Sequence, residues 1–414
     1  MFDVPFWAPD GQRVGYGKVY EVPLEYVIES RDLNGEKPVK VLSDSRLAGS
    51  SCWLPDGRII YVRWESPGNT GANLWGIRTT IETGEPAGKP RRITDWVGST
   101  DSHLLTTSAD GKRLALKKGN AQSDVYVAEL LADGTRLKTP RRLTLDESND
   151  EPKAWTADNK AVIFQSDRNG QWDIYKQGID QAMAETVFAS PENKSAWGLS
   201  PDGAWVFFTA QAGASAPRKL MRAPMASGAA QLVSNTEPDR RAAREWRTSE
   251  IRAQSCARLP STFCAYGWIE PGQLILSSYD LVAGKRRELA RVPDGTEFDV
   301  FPDGSGIAVA LGDPAARRIR IISSTGETKA EFPVKGWSAI EHPNCAADSN
   351  GLYVTSVSQP GAATLLYVDL QGNARVLWQQ KGSPDAWAIP SPDGRYLAIM
   401  GMTQTSDAWI LENF

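Results

Sequence analysis

Short apolar runs, each preceded by a tight turn, recur along the whole chain. Each turn is Pro-Asp-Gly or a close variant, and the run that follows is rich in β-branched and aromatic residues. The turns lie at 9–11, 55–57, 109–111, 157–159, 201–203, 302–304, 348–351 and 392–394. Successive copies are 44–54 residues apart, except for one interval about twice as long, and this period predicts a repeat protein.

The residues of each repeat predict four short strands. Asp accepts hydrogen bonds from backbone groups two positions on, and Gly or Asn adopts the positive φ of a hairpin turn. In one repeat the turn precedes the strand 161–164, a second strand follows at 173–175, and in the preceding repeat a basic-apolar strand closes the unit at 141–144. Because one such sheet cannot bury both of its faces, radial packing is expected. The prediction is an all-β fold, a β-propeller of four-stranded antiparallel blades.

Nine repeat units can be counted, and we expect them to form a single propeller domain over residues 1–414. Their approximate bounds are 1–44, 50–95, 100–145, 150–190, 195–235, 240–291, 294–333, 338–378 and 385–414. The last unit ends after its third strand, and closed propellers commonly take the missing strand from the other terminus. Eight full blades are therefore preferred. Nine blades, or two incomplete propellers, remain alternatives.

Composition excludes some partners. The chain of 414 residues has a net charge of −4, so it offers no basic field for nucleic acid or anionic lipid. No apolar stretch approaches the length of a membrane span, and no signal peptide starts the chain. We expect no nucleic-acid partner, no direct membrane insertion and a monomer. The protein is then either cytoplasmic or one domain of a longer protein that carries its own targeting element.

The four cysteines fall into two classes. Cys52 and Cys345 occupy inner-strand positions, and we expect them to be buried as small hydrophobic residues. Cys256 and Cys264 lie in the unit 240–291, whose turn motif is degenerate. They are close enough to join the two strands of a hairpin, and the sequence leaves open whether they form a disulfide. A disulfide would favour an oxidising compartment. No Cys or His pairs lie at zinc-ligand spacing, so no metal site is predicted.

The sequence lacks two common catalytic motifs, the Gly-x-Ser-x-Gly elbow and the phosphate-binding loop. Its two histidines, His103 and His342, each lie at an innermost strand. With Asp101 and Glu341 they could form a metal or acid–base site in a central channel. The preferred interpretation is that each histidine closes a local hydrogen bond. The alternative function is an enzyme, a lyase or hydrolase with a channel site.

Charged and aromatic residues are also expected to gather on one face. The acidic connection 146–151 could hold calcium, although a solvated acidic turn is preferred, and no cofactor is predicted. Exposed aromatic side chains ringed by charges suit a protein or peptide contact. The predicted contact residues are Asp150, Glu151, Arg168, Trp172 and Trp337.

Two stretches resemble known propellers. The segment Ser-Asp-Arg-Asn-Gly-Gln-Trp-Asp-Ile-Tyr at 166–175, with Trp-Thr-Ala-Asp before it at 155–158, resembles the WD-like, PD-type repeat of TolB-type propellers. Residues 361–414 resemble the carboxy-terminal sensor propellers of bacterial membrane-anchored serine/threonine kinases and winged-helix regulators. The resemblance implies a noncatalytic binding or sensor domain, a piece of a larger signalling protein, in an extracytoplasmic or periplasmic location. The chain itself contains neither kinase motifs nor a DNA-binding helix.

Overall fold

A computed structural model describes fourteen stretches of the chain. They are residues 5–21, 24–35, 37–65, 71–96, 105–131, 134–212, 219–235, 251–270, 272–279, 286–293, 295–311, 318–359, 362–383 and 385–414. Within these stretches the regular elements are β-strands, and no α-helix occurs. Contacts divide the chain into two compact units. The first is Met1–Ala121 with Gly213–Ser215 and Gln404–Phe414, and the second is Gln122–Ala212 with Ala216–Thr403.

The first unit contains two four-stranded antiparallel sheets and part of a third. One sheet is β1 (Phe6–Trp7), β2 (Arg13–Glu21), β3 (Leu24–Asp32) and β4 (Val39–Ser43). The next is β5 (Leu47–Trp53), β6 (Arg58–Trp64), β7 (Ala72–Arg78) and β8 (Arg91–Arg92). In the third, β9 (Leu105–Thr107) pairs with the first residues of β10 (Arg113–Leu131). Apolar side chains from facing sheets, such as Phe6 and Trp53, pack together between them.

The second unit contains five complete four-stranded sheets. Two of them are β13 (Asp150–Trp155), β14 (Ala161–Ser166), β15 (Asp173–Gly178) and β16 (Glu185–Phe188), then β17 (Asn193–Leu199), β18 (Trp205–Gln211), β19 (Lys219–Pro224) and β20 (Gln231–Asn235). The third is β21 (Ile251–Cys256), β22 (Cys264–Glu270), β23 (Gln273–Tyr279) and β24 (Arg286–Pro293). The last two are β25 (Glu297–Val300), β26 (Gly306–Ala310), β27 (Arg318–Ser323) and β28 (Thr328–Pro333), then β29 (Glu341–Cys345), β30 (Gly351–Gln359), β31 (Ala362–Asp369) and β32 (Ala374–Lys381).

A sixth sheet is assembled from distant parts of the sequence. Its strands are β33 (Ala386–Pro390), β34 (Tyr396–Glu412), β10, β11 (Arg136–Leu137) and β12 (Arg141–Arg142). Within the second unit, Leu130 of β10 packs with Leu397 and Ile399 of β34 in one buried cluster. The last repeat is therefore completed by β10, at residues 113–131, whereas the amino-terminal strands β1–β4 form a sheet of their own. The expectation that the other terminus supplies the missing strand is corrected.

The first strands of the six sheets form a closed ring. Each of β13, β17, β21, β25, β29 and β33 contacts the next, and β33 contacts β13. Buried apolar clusters lie between neighbouring sheets, for example one shared by β25–β28 and β29–β32. A radial set of antiparallel sheets with its core between the sheets is a β-propeller.

The structure confirms the predicted all-β propeller of four-stranded antiparallel sheets, and the predicted turn chemistry. The turn residues Asn159, Gly203 and Gly394 have φ of 62°, 68° and 70°. The count of eight blades in one propeller, and the single domain over 1–414, stay predictions. The ring of the second unit closes with six sheets.

Candidate functional site

The ring of innermost strands in the second unit surrounds a cavity of about 800 Å³. All six innermost strands contribute to its wall. Aromatic and proline side chains are frequent there, among them Trp155, Trp197, Pro343 and Trp387. A cavity of this size, with aromatic side chains and fixed polar groups in its wall, is typical of binding sites.

His342 is the centre of a polar cluster at this cavity. It lies on β29 with a φ of 52°, at an irregularity in the pairing of β29 with β30. Its Nε2 is 3.0 Å from Oδ1 of Asp385, and its Nδ1 is 3.3 Å from Oε1 of Glu297. The backbone N–H of His342 donates to the other carboxylate oxygen of Glu297. We name Glu297, Glu341, His342 and Asp385 the His342 cluster.

The carboxylates of the cluster control the charge of the imidazole. Burial lowers the pKa of His342, but the hydrogen bond with Asp385 and the negative charges of Glu297, Asp385 and Glu341 outweigh it. The pKa of His342 is therefore raised above its ordinary value. The cluster stabilises positive charge at this point of the cavity wall.

An aromatic side chain joins the His342 cluster to a neighbouring ion pair. The rings of His342 and Trp387 have centroids 5.3 Å apart, and Nζ of Lys153 lies 5.0 Å from the centre of the Trp387 ring. Trp387 donates its Nε1–H to the carbonyl of Pro152 at 3.1 Å. Lys153 is paired with Glu151 at 2.9 Å. The ammonium of Lys153 is thus already neutralised by a partner of its own.

Further along the cavity wall, polar groups bond to one another. Asp299 accepts a hydrogen bond from Ser255 Oγ at 2.5 Å and another from the backbone N–H of Cys345 at 2.7 Å. Burial raises the pKa of Asp299 and of the Cys345 thiol. Arg258 donates to the carbonyls of Pro392 at 2.9 Å and of Pro390 at 3.4 Å, and burial lowers the pKa of its guanidinium. These bonds tie innermost strands together.

Comparison of the sequence with protein-family models agrees with the propeller fold. The model of the TolB β-propeller domain, PD40, matches residues 18–243. The chain belongs to this TolB β-propeller family. No curated protein sequence gives a significant match.

One solved structure shares this fold. A TolB-like protein of Agrobacterium tumefaciens is 16% identical, with a TM-score of 0.53, over 68% of this chain and 99% of that one. An oligogalacturonate lyase of Vibrio parahaemolyticus is 13% identical, with a TM-score of 0.43, over 67% of this chain and 78% of that one. TolB of Acinetobacter baumannii is 20% identical, with a TM-score of 0.28, over 67% of this chain and 63% of that one. At these identities the first shows a shared fold, and the looser superpositions of the other two carry no argument.

The structure places the predicted contact residue Asp150 in the interior of a sheet, paired with the predicted contact residue Arg168 of a loop. Asp150 is fully buried, and its Oδ1 is 3.1 Å from Nη2 of Arg168. The guanidinium of Arg168 also lies 4.5 Å from the centre of the Tyr175 ring. Burial raises the pKa of Asp150 to about 6. The expectation that Asp150 presents an exposed carboxylate is therefore corrected, because the loop residue Arg168 covers and pairs with it.

The other predicted contact residues also have local partners. Glu151 accepts hydrogen bonds from Lys153 and from Gln165. Trp172 is half-buried and donates its backbone N–H to Oδ1 of Asn193 at 3.2 Å. Trp337 packs against the apolar cluster between β25–β28 and β29–β32. Their role in partner binding stays a prediction.

The alternative channel site is described only in part. His342 and Glu341 are neighbours on β29 and lie close to Asp385, whereas His103 and Asp101 lie outside the described residues, so the four-residue channel site stays a prediction. Reasoning from the sequence missed Glu297 and Asp385. The signal was present in the repeats, since Glu297 and Glu341 are the first residues of innermost strands and Asp385 directly precedes one. An acid at the same repeat position in neighbouring units predicts carboxylates that converge around the ring.

The cysteines lie where the repeats place them. Cys256 is directly opposite Cys264 in the pairing of β21 with β22, and the two form a disulfide. Cys52 and Cys345 are free and buried. In the part of the chain that the structure describes, no helix is long and apolar enough to cross a bilayer.

Proposed function

We propose that this TolB-type propeller is a noncatalytic binding protein that takes an extended peptide segment of a protein partner into the cavity of its second unit. The observation that carries the proposal is the wall of that cavity. Six innermost strands supply it, and three Trp and six Pro side chains are among its lining residues. An extended peptide has an apolar and aromatic surface to pack on there, and such anchors supply most of the affinity of a peptide contact.

The state of the polar groups in the wall supports binding rather than catalysis. Asp299 is occupied by hydrogen bonds from Ser255 and Cys345, and burial raises the pKa of the Cys345 thiol. A thiol with a raised pKa carries little thiolate at neutral pH, so it is a poor nucleophile. These groups hold the wall in shape for a ligand.

Location and biological context are parts of the same proposal. The disulfide between Cys256 and Cys264 supports an oxidising, extracytoplasmic compartment. The resemblance to sensor propellers supports a role in signalling as a piece of a larger protein, and we propose that the propeller itself is monomeric.

The experiment is a selection of random peptides, displayed on phage, on the immobilised protein, followed by affinity measurements with a selected peptide. The test variant is Trp387→Ala, which removes a ring from the cavity wall. The matched control is Trp205→Ala, because Trp205 lies on β18 and stacks on Arg222. Loss of an aromatic anchor costs about 2 kcal/mol, so Trp387→Ala should weaken binding by about thirtyfold. Trp205→Ala should leave it within about twofold.

Thermal unfolding of both variants separates loss of binding from loss of fold. Equal affinities for the wild type and Trp387→Ala, with both proteins folded, would contradict a peptide site in the cavity.

The second candidate is a channel-site enzyme, a lyase or hydrolase. His342 favours it, because an imidazole held between Glu297 and Asp385 with a raised pKa can donate a proton. Wild type and His342→Asn would be compared on a panel of polysaccharide and ester substrates. A turnover that His342→Asn abolishes, while the selected peptide still binds, would make the enzyme the leading function.

A further inference from the structure

We propose that Glu341, His342 and Asp385 bind one divalent transition-metal ion, of the zinc class, at the cavity of the second unit. One ligand atom from each residue lies within 4.8 Å of the other two. The group combines an imidazole nitrogen with two carboxylate oxygens, a donor set that suits Zn²⁺. The proposal stands independently of peptide binding.

The spacing of the ligand atoms fits a single ion after small side-chain rotations. Zinc bonds of about 2.0–2.2 Å in tetrahedral geometry place neighbouring ligand atoms about 3.3–3.5 Å apart. Nε2 of His342 and Oδ1 of Asp385 are 3.0 Å apart. The three ligand atoms lie within 4.8 Å of one another, and Glu341, His342 and Asp385 are half-buried rather than locked in the core, so rotation of the side chains brings the atoms to the distances of a bound ion.

Glu297 orients the imidazole for metal binding. Its Oε1 lies 3.3 Å from Nδ1 of His342, and its other oxygen accepts the backbone N–H of the same residue. A carboxylate on one ring nitrogen fixes the proton there and leaves the lone pair of the other nitrogen for a metal. In this cluster the other nitrogen is Nε2, which shares a hydrogen bond with Oδ1 of Asp385, and a bound ion would displace the proton from that bond. A carboxylate, a histidine and a metal in series are the usual arrangement around protein-bound zinc.

Asp385 is fixed as well, and the local charge favours a dication. Its Oδ1 accepts the backbone N–H of Ala386 at 2.8 Å, which holds the carboxylate toward His342. Three carboxylates surround the imidazole, while the ammonium of Lys153 is paired with Glu151. Nitrogen in the donor set selects zinc over calcium or magnesium, which prefer oxygen ligands. Three protein ligands leave a fourth position for water or another group.

The test is calorimetric titration of the metal-stripped full chain with ZnCl₂, with metal content measured after desalting. We expect one ion per chain. The ligand variants are His342→Asn and Asp385→Asn, and Asn suits position 342 because it tolerates the positive φ. Each should weaken Zn²⁺ binding by more than about a hundredfold, the upper range for loss of an outer-shell partner. The control Glu185→Gln, an exposed acid on β16, should bind as the wild type does.

Glu297→Gln tests the orienting role separately. It should weaken Zn²⁺ binding by about 10–100-fold while the stoichiometry stays at one. An unchanged affinity in this variant would contradict the arrangement of Glu297, His342 and the ion. CaCl₂ in place of ZnCl₂ should bind more weakly, and tighter calcium binding would overturn the choice of ion.

Imidazole NMR keeps the test valid if a ligand variant fails to fold. The chain has two histidines, so a spectrum of the ring nitrogens contains two sets of signals. The signals that remain in the His103→Asn variant belong to His342. Zn²⁺ should shift these signals, and they should show the proton on Nδ1. No shift of these signals, or equal Zn²⁺ affinity in His342→Asn and the wild type, would overturn the proposal.

Discussion

Nη2 of Arg168 lies 3.1 Å from Oδ1 of Asp150, and the carboxylate of Asp150 is fully buried. The two residues join the loop after β14 to the first residue of β13. Removing one partner of a buried ion pair leaves an uncompensated buried charge. The resulting loss of stability exceeds the net stabilisation that the intact pair provides. The pair therefore belongs to the stability of its sheet.

Replacing Arg168 by Ala is expected to lower the free energy of unfolding by about 3 kcal/mol, the range for breaking a buried ion pair. Urea unfolding of the variant measures the change. A loss below about 0.5 kcal/mol, as for an exposed loop residue, would show that solvent reaches Asp150.

Asp150→Asn in the Arg168→Ala background is the control for this prediction. Because it removes the stranded charge, it should recover at least about half of the lost stability. No recovery would assign the loss to the packing of Arg168 on Tyr175.

The stability of the wild type should depend on pH through Asp150. Burial raises the pKa of this carboxyl to about 6 in the folded protein, from an ordinary value of 3.8. Between these two pH values the folded state holds more protons than the unfolded state, so stability falls as pH rises and recovers as pH falls through about 6. Ionisation of Asp150 lowers the free energy of unfolding by at most about 3 kcal/mol over this range, because a difference of one in pKa corresponds to about 1.4 kcal/mol.

The measurement is the unfolding free energy from pH 4 to pH 7.5 for wild type and Asp150→Asn. As pH rises from 4 to about 6, the wild type should lose stability relative to Asp150→Asn, and above about pH 6 the difference between the two curves should stay constant. Parallel curves would show that Asp150 does not titrate in this range.

Gly203→Val is expected to weaken the fold by about 1–3 kcal/mol without specific loss of peptide binding. Gly203 has a φ of 68°, and a Cβ there would lie 3.0 Å from Cβ of Ala157. Gly394→Val should act in the same way, since its φ is 70°. The control is Gly88→Val, at a position with open space and no such φ. Thermal unfolding compares the three, and equal losses in all of them would refute the turn argument.

Protein made in an oxidising compartment should show two reactive thiols after denaturation without reductant. Those two are Cys52 and Cys345, because Cys256 and Cys264 are joined. Reduction should raise the count to four, as measured with a thiol reagent. Four thiols before reduction would contradict the disulfide and weaken the extracytoplasmic proposal.

The sequence predicts the fold well because each repeat carries its own turn and strand signals. The positive φ of Gly203 follows from a local motif. The His342 cluster depends instead on contacts between repeats, since Glu297 and Asp385 lie 45 and 43 residues from His342. Only the radial packing of neighbouring sheets brings them together.

Besides the contacts of the His342 cluster, the sequence did not show that the side chain of Asp150 is buried. In the sequence, Asp150 is one of several acidic residues in a polar segment. Nothing in that segment indicates that Arg168 covers Asp150 and pairs with it. A loop position is read as exposed unless the partner from another strand is known. The Asp150–Arg168 pair illustrates how this assumption fails at the start of an innermost strand.

Hydrogen exchange of the backbone amides, with and without a peptide selected from the displayed library, tests the proposed binding site most directly. The proposal predicts slower exchange in the innermost strands that border the cavity, above all β13, β29 and β33, while the outer strands β16 and β28 keep their rates. Protection confined to outer strands, or to the first unit, would contradict binding in the cavity of this propeller.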